Sequence, residues 1–183
     1  MSLRRGIAMA SSCGAVLAAI LAATPRGARS DPVGTAAAAP ARAASADAYL
    51  KPLLEDPQGR TIRLADFKGK VRVFDVWASW CGPCRMGIPE LNALYEHYRE
   101  KGVVVVGISL DDTPADVARF VEEVPIHYPH GMMNPDLAVL FGIGNEAMAI
   151  PITYVVDRTG KLRAKFVGFV GAGRIERVVV GLL

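Results

Sequence analysis

Six consecutive residues, Val103-Val104-Val105-Val106-Gly107-Ile108, carry no polar side chain, and they set the tightest limit on what this chain can fold into. The run is short, rich in β-branched residues and lacks a polar face. It therefore reads as a strand covered on both sides, the position that central strands of α/β sheets occupy. A second strand is expected over Val71 to Trp77. There Val71, Val73, Asp75 and Trp77 share one face, and Arg72, Phe74 and Val76 share the other.

Helical patterns separate the strands. One helix begins near Cys81 and runs to about Lys101, with Pro89 as a point of kinking. Thr113-Pro114 opens a second, with Thr as N-cap, Pro at the first helical position and Asp116 in the first turn. Asn134-Pro135 repeats that opening for a shorter helix ending near Gly142. Ile152 to Val156 and Leu162 to Phe169 are strands joined by Asp157-Arg158-Thr159-Gly160, and Arg174 to Leu182 is a closing helix. Ahead of all these, Leu53-Leu54-Glu55 and Arg60-Thr61-Ile62-Arg63 flank Asp56-Pro57-Gln58-Gly59 as a hairpin. The pattern implies an α/β fold whose sheet mixes strand directions.

The chain has 183 residues and a formal net charge of +3. That length suits one domain plus an extension. The charge is small and evenly spread, which argues against a nucleic-acid partner. The extension is N-terminal. Arg4 and Arg5 precede an apolar run from Ile7 to Ala23, the pattern of an export signal. Residues 1–23 are therefore read as a signal peptide or an N-terminal membrane anchor. The run is near the lower limit for spanning a bilayer, and no clean small-x-small cleavage site follows it, so both readings stand. Either one puts the domain outside the cytoplasm, with the Arg pair inside. Cys13 is a poor lipidation site because the apolar run follows it, and Arg4-Arg5 is a poor twin-arginine signal. Residues 24–46, rich in Ala, Pro, Gly and Ser, read as a flexible linker, and residues 47–183 as the folded domain.

Within that domain the cysteines are Cys81 and Cys84. Two intervening residues make too short a loop for a useful staple, so the pair is read as chemical. A helix starting at Cys81 aims unpaired N–H groups and its positive end at that sulfur, which favours the thiolate and makes Cys81 the nucleophile. Cys84 lies one turn on, and Pro83 suits a first turn that has no need of its N–H. The alternative is half a zinc site. Zinc needs two further ligands, and His97, His127 and His130 are not spaced to supply them, so no metal and no cofactor are expected. Asp75 faces inward on the strand reading, where burial would raise its pKa; otherwise it is a surface aspartate at a twisted strand end.

Trp77-Ala78-Ser79-Trp80-Cys81-Gly82-Pro83-Cys84-Arg85 followed by Ile88-Pro89-Glu90-Leu91 resembles the active-site segment of thioredoxins. More closely it resembles the membrane-tethered, TlpA/ResA-like branch that includes cytochrome c maturation thioredoxins. Leu64 to Lys70, Val106 to Asp111 and above all Ile150 to Lys161 extend the likeness over roughly residues 50–183. The resemblance implies a thioredoxin fold: a mixed central sheet flanked by helices, an N-terminal hairpin and a helix-containing insertion between Thr113 and Ala149. It implies a redox-active Cys81–Cys84 disulfide and a cis-Pro151 facing the cysteines, where the residues alone also allow a strand-edge proline. It further implies substrate pairing along the backbone of Ile150, and a role for Asp75 in proton transfer with Cys84. Trp80, Gly82 and Pro83 complete the expected substrate-binding set, with Trp80 an exposed lip and Trp77 a packing residue. The branch usually carries Glu where this chain has Gly87, which puts carry-over of its redox tuning in question.

The function implied is a thiol–disulfide oxidoreductase on the periplasmic side of the bacterial inner membrane, reducing disulfides of client proteins. Apocytochrome c and copper-oxidase assembly factors are the clients implied, and a membrane thiol-reductase is the electron donor. Residues 7–23 are the route to inner-membrane association. The rivals are a disulfide oxidant or isomerase using the same residues, and a non-catalytic copper-binding or thiol-client module. For the latter, Met132 and Met133 near His130 are the available soft ligands, although a loop-packing role suits them better.

Overall fold

A computed structural model of the chain describes residues 47–111, 113–144 and 149–183. The expectations for the leader and the linker, residues 1–46, lie outside the described residues. Among those described, no helix is long and apolar enough to cross a membrane.

The two apolar strands sit side by side at the centre. β3 (Val71–Trp77) pairs in parallel with β4 (Val103–Ser109), and every residue of both is buried. β4 pairs in parallel with β5 (His130–Met132). β3 pairs antiparallel with β6 (Ile152–Val156), which pairs antiparallel with β7 (Leu162–Val167). The sheet order is therefore β5-β4-β3-β6-β7, of mixed direction as expected. The hairpin of β1 (Leu53–Glu55) and β2 (Thr61–Arg63) forms its own two-stranded sheet.

Alternation along β3 sorts the core into two layers. Phe74 and Val76, with Val104, Val106 and Ile108 of β4, pack on Tyr49, Leu54 and the short helix α3 (Pro135–Phe141). Val71 and Val73, with Val103 and Val105, pack on the opposite side against Leu91, Leu94 and Tyr98 of α1 (Gly82–Tyr98) and Ile175 and Val179 of α4 (Ala172–Val180). The remaining helix, α2 (Pro114–Glu123), lays Val117 and Phe120 over the end of β3, beside Trp77 and the two cysteines.

Several boundaries shift from the sequence reading. α1 continues past Pro89 and stops at Tyr98; Arg99–Lys101 continues as a 3₁₀ turn. β7 ends at Val167, because Gly168 takes φ +78° and turns the chain away. α4 starts at Ala172, two residues before Arg174. The largest correction concerns His130 to Met132. The loop expected there is an edge strand, and its neighbour Met133 donates its N–H to the Ser109 carbonyl at 2.8 Å. Three residues are too few to show a period, so this strand exists through its pairing with β4. A Cβ on Gly131 would collide with the carbonyl oxygen of Glu55, so only glycine lets the hairpin lie against this edge.

Candidate active site

The C-terminal end of β3 delivers the chain into a tight approach to α1. Ser79 is pinned there by Asp111, just past the end of β4. The Asp111 carboxylate accepts from the Ser79 N–H at 2.9 Å, the Ser79 hydroxyl at 2.5 Å and the Ser109 hydroxyl at 2.6 Å. Cys81 is the N-cap of α1, in extended conformation, and its sulfur accepts the Cys84 N–H at 3.1 Å. The helix start thus presents an N–H and its positive end to Cys81 Sγ, the arrangement that stabilises a thiolate. Gly82 and Pro83 form the first turn, where the missing N–H of proline costs nothing.

Cys81 and Cys84 form a disulfide. Cys84 is the deeper sulfur, and both lie in a cluster with Trp77, Ala78, Ile88, Val117 and Phe120. Trp77 is fully buried and packs on Phe120, with ring centroids 4.8 Å apart, whereas Trp80 is 69% exposed beside the cysteines. Arg85 lies over the outer side of Phe120 and pairs with Glu123 at 3.0 Å, tying α1 to α2.

Across the site the Ile150–Pro151 bond is cis. The Ile150 carbonyl oxygen is 3.7 Å from Cys81 Sγ, and Pro151 accepts the Gly168 N–H at 2.8 Å. Below the cysteines, Asp75 is 2% exposed and the surface-aspartate reading falls away. Its Oδ1 accepts from the Thr153 hydroxyl at 3.3 Å, the one hydrogen bond its side chain makes among the described residues. Burial pushes this carboxyl up to about 7, and the Thr153 bond opposes that only in part. Asp75, Cys84, Gly87, Glu90 and Phe169 line one narrow crevice of about 20 Å³, room for roughly a single water.

A family model described as AhpC/TSA matches residues 42–165. The chain belongs to the AhpC/TSA family. Its thioredoxin-like fold agrees with the solved structures it matches. Thiol-disulfide oxidoreductase ResA of Oceanobacillus iheyensis is 33% identical over 73% of this chain and 68% of that protein. Thiol:disulfide interchange protein DsbE of Pseudomonas aeruginosa is 35% identical over 67% of this chain and 64% of that protein. Among solved structures, a thioredoxin-family thiol:disulfide interchange protein from Chlorobium tepidum superposes with a TM-score of 0.65 at 26% identity, covering 72% of this chain and 92% of that one. This AhpC/TSA member is thus a thiol–disulfide oxidoreductase of the ResA/DsbE type with a disulfide between Cys81 and Cys84.

Some residues of the site carry no signal in the sequence. Thr153 reads as an ordinary strand residue, yet the β3–β6 register sets it opposite Asp75. Phe169 arrives from beyond β7 and lies over Gly87, where a Cβ would be 3.5 Å from its ring. A Cβ at position 87 would make ordinary van der Waals contact with that ring. Glu90 reaches the crevice and accepts the Ala172 N–H, which fixes the start of α4. Asp111 does carry a signal, since residues at the C-terminal ends of parallel strands are where α/β sheets assemble sites.

Proposed function

We propose that the protein reduces disulfides of client proteins on the outer side of a bacterial cytoplasmic membrane, with residues 1–23 as its signal or anchor and 24–46 as its tether. The observation that carries this reading is the crevice that Asp75, nearly unpartnered, shares with Cys84, which lies buried behind Cys81 at a helix N-terminus. In the reduced protein, the Cys81 thiolate attacks one sulfur of the client disulfide. The other client sulfur leaves as a thiolate and takes up a proton, giving a Cys81–client mixed disulfide. Asp75 then accepts the Cys84 proton, the Cys84 sulfur attacks Cys81 Sγ, and the client's second sulfur leaves and is protonated from Asp75. The client ends as a dithiol and the protein as the Cys81–Cys84 disulfide.

The Ile150 carbonyl beside Cys81 Sγ supports strand-like docking of the client segment against Ile150 and Pro151. Trp80, Gly82 and Pro83 supply the other side of that contact. A reductant in an oxidising compartment must be recharged, and a membrane thiol-reductase is the donor this implies. Apocytochrome c and copper-oxidase assembly proteins are the client classes that follow from the resemblance.

Titration against defined thiol–disulfide buffers tests the direction. Trp77, in the same buried cluster as both cysteines, is the fluorescence reporter. A two-electron transition at or below about −250 mV supports a reductant, whereas about −120 to −180 mV would make the protein an oxidant or isomerase. No reversible transition would overturn the redox reading and favour the copper-binding one.

A further inference from the structure

The crevice that Asp75 shares with Cys84 has an outer wall as well as an inner one. Asp75 and Cys84 stand on the inner side, 2% and 1% exposed. The facing wall is the segment from Gly168 to Ala172, between β7 and α4. Two left-handed glycines bracket it, Gly168 at φ +78° and Gly171 at φ +72°, so the chain turns sharply on either side of Phe169 and Val170. Val170 goes inward, against the layer that holds Ile175 and Val179. Phe169 goes outward over α1: it is 42% exposed, and a Cβ at Gly87 would lie 3.5 Å from its ring. Each end of the segment is tied down. Gly168 donates its N–H to the Pro151 carbonyl at 2.8 Å. At the far end Gly171, the N-cap of α4, has no side chain to cap the helix, and Glu90 of α1 does so from outside: its Oε2 accepts the Ala172 N–H. Among the described residues, this is the one side-chain hydrogen bond between α1 and that wall.

We propose that Phe169 closes this crevice against solvent and that Glu90 is the positioning residue that keeps it closed, so that Cys84 and Asp75 exchange their proton away from bulk water. The inference rests on the proton-acceptor reading of Asp75. A volume of about 20 Å³ holds roughly one water, so removing one side of the wall changes the solvation of both groups. Burial is what raises the Asp75 carboxyl, and wetting the crevice removes that cause. The titratable and polar groups around Asp75 are Cys84 and Glu90 from α1, Thr153 from β6 and Tyr128 from the segment before β5. Gly107, its partner on β4, brings no side chain, and α4 brings the apolar Ile175. None of these is a cation that would hold the carboxyl ionised, so the exclusion of water is the factor that sets when Asp75 gives up its proton.

The test follows the infrared C=O stretch of the protonated Asp75 carboxyl against pH in the oxidised full chain, with the band assigned by its loss in Asp75→Asn. It is recorded in the parent, Phe169→Ala, Glu90→Ala and Glu90→Gln, and disulfide reduction is measured over the same range. In Phe169→Ala the Asp75 midpoint is expected to fall by about one pH unit or more, toward the ordinary value of 3.8. The neutral-pH rate should fall about three- to tenfold as the base weakens. Glu90→Ala is expected to move the midpoint in the same direction by less. Glu90→Gln keeps an oxygen for the Ala172 N–H, and its midpoint should return to that of the parent. An Asp75 midpoint unmoved in Phe169→Ala, even with a lower thermal midpoint, would overturn the closure and mark Phe169 as merely structural. A midpoint moved as far in Glu90→Gln as in Glu90→Ala would mean that Glu90 acts by its charge, and would overturn its positioning role. A pH–rate profile unchanged by Asp75→Asn would instead overturn the proton-acceptor reading on which the inference rests.

Discussion

Asp75 and Asp157 are both buried carboxylates, 2% and 5% exposed, yet their surroundings push them in opposite directions. Burial raises both. At Asp75 only the Thr153 hydroxyl opposes it, and the carboxyl stays near 7. At Asp157 burial is overcome by the Thr159 hydroxyl and N–H at 2.7 and 2.9 Å, the Lys161 N–H at 3.0 Å and Arg163 Nε at 2.5 Å. These hold the carboxyl well below the usual range. Among the described residues, the Asp157 backbone carbonyl also takes the one hydrogen bond made by the buried Arg72 guanidinium, at 2.9 Å. Burial alone therefore does not mark a proton carrier. A carboxyl able to trade protons at neutral pH is one left short of donors, and a carboxylate with a full set of donors is a permanent charge that organises a turn.

Removing the underbonded acid is the strongest way to break this contrast. Asp75→Asn is expected to lower disulfide reduction at neutral pH about a hundredfold, the lower range for loss of a general base. It should also alter stability. The unfolded carboxyl ionises at its ordinary value of 3.8, while the folded one holds its proton to about 7. The folded protein thus binds the extra proton between those values, and stability falls as pH rises through that window, by roughly 4 kcal/mol at most. Urea titrations across pH should show that slope in the parent and a flatter profile, with higher stability above neutrality, in Asp75→Asn. An identical slope in both would break the comparison.

The opposite substitution should behave oppositely. Asp157→Ala removes the acceptor for four hydrogen bonds, and its ion-pair partner Arg163 is 43% exposed, which weakens that contact by screening. A loss of about 2 kcal/mol is expected in urea titrations at neutral pH, with the pH inflection of disulfide reduction unmoved. In the parent, the contribution of this depressed carboxyl is present above the ordinary carboxylate value and is lost only as pH falls through its lower folded value. A large effect on rate with none on stability would reverse the assignment of the two acids.

The finest test changes the donor count by one. Thr153→Val keeps the shape of the side chain and deletes the 3.3 Å bond to Asp75. The Asp75 titration is expected to move slightly further up, with little change in fold stability. No movement would mean that the long Thr153 contact contributes nothing and that burial alone sets the value.

Much of this site is legible in the order of the residues alone. Strand alternation puts Asp75 on an inward face with Val71, Val73 and Trp77, and the Cys-Gly-Pro-Cys segment after a strand locates a helix N-terminus at the nucleophile. The four-valine run identifies the central strand, because continuous apolar sequence of that length is tolerable only where both faces are covered. These features are local: each follows from the period of side chains along one element or from the needs of one helix end. What only the tertiary structure decided is which distant residues meet. Thr153 reaches Asp75 through an antiparallel register, Tyr128 lies against Gly107 because no side chain stands there, and Phe169 reaches the crevice through the turn after β7. His130–Met132 becomes a strand only because β4 offers an edge. Hydrogen-bond register and close approach between segments far apart in the chain leave no periodic trace in either segment, so the two buried aspartates look alike until their neighbours are assembled around them.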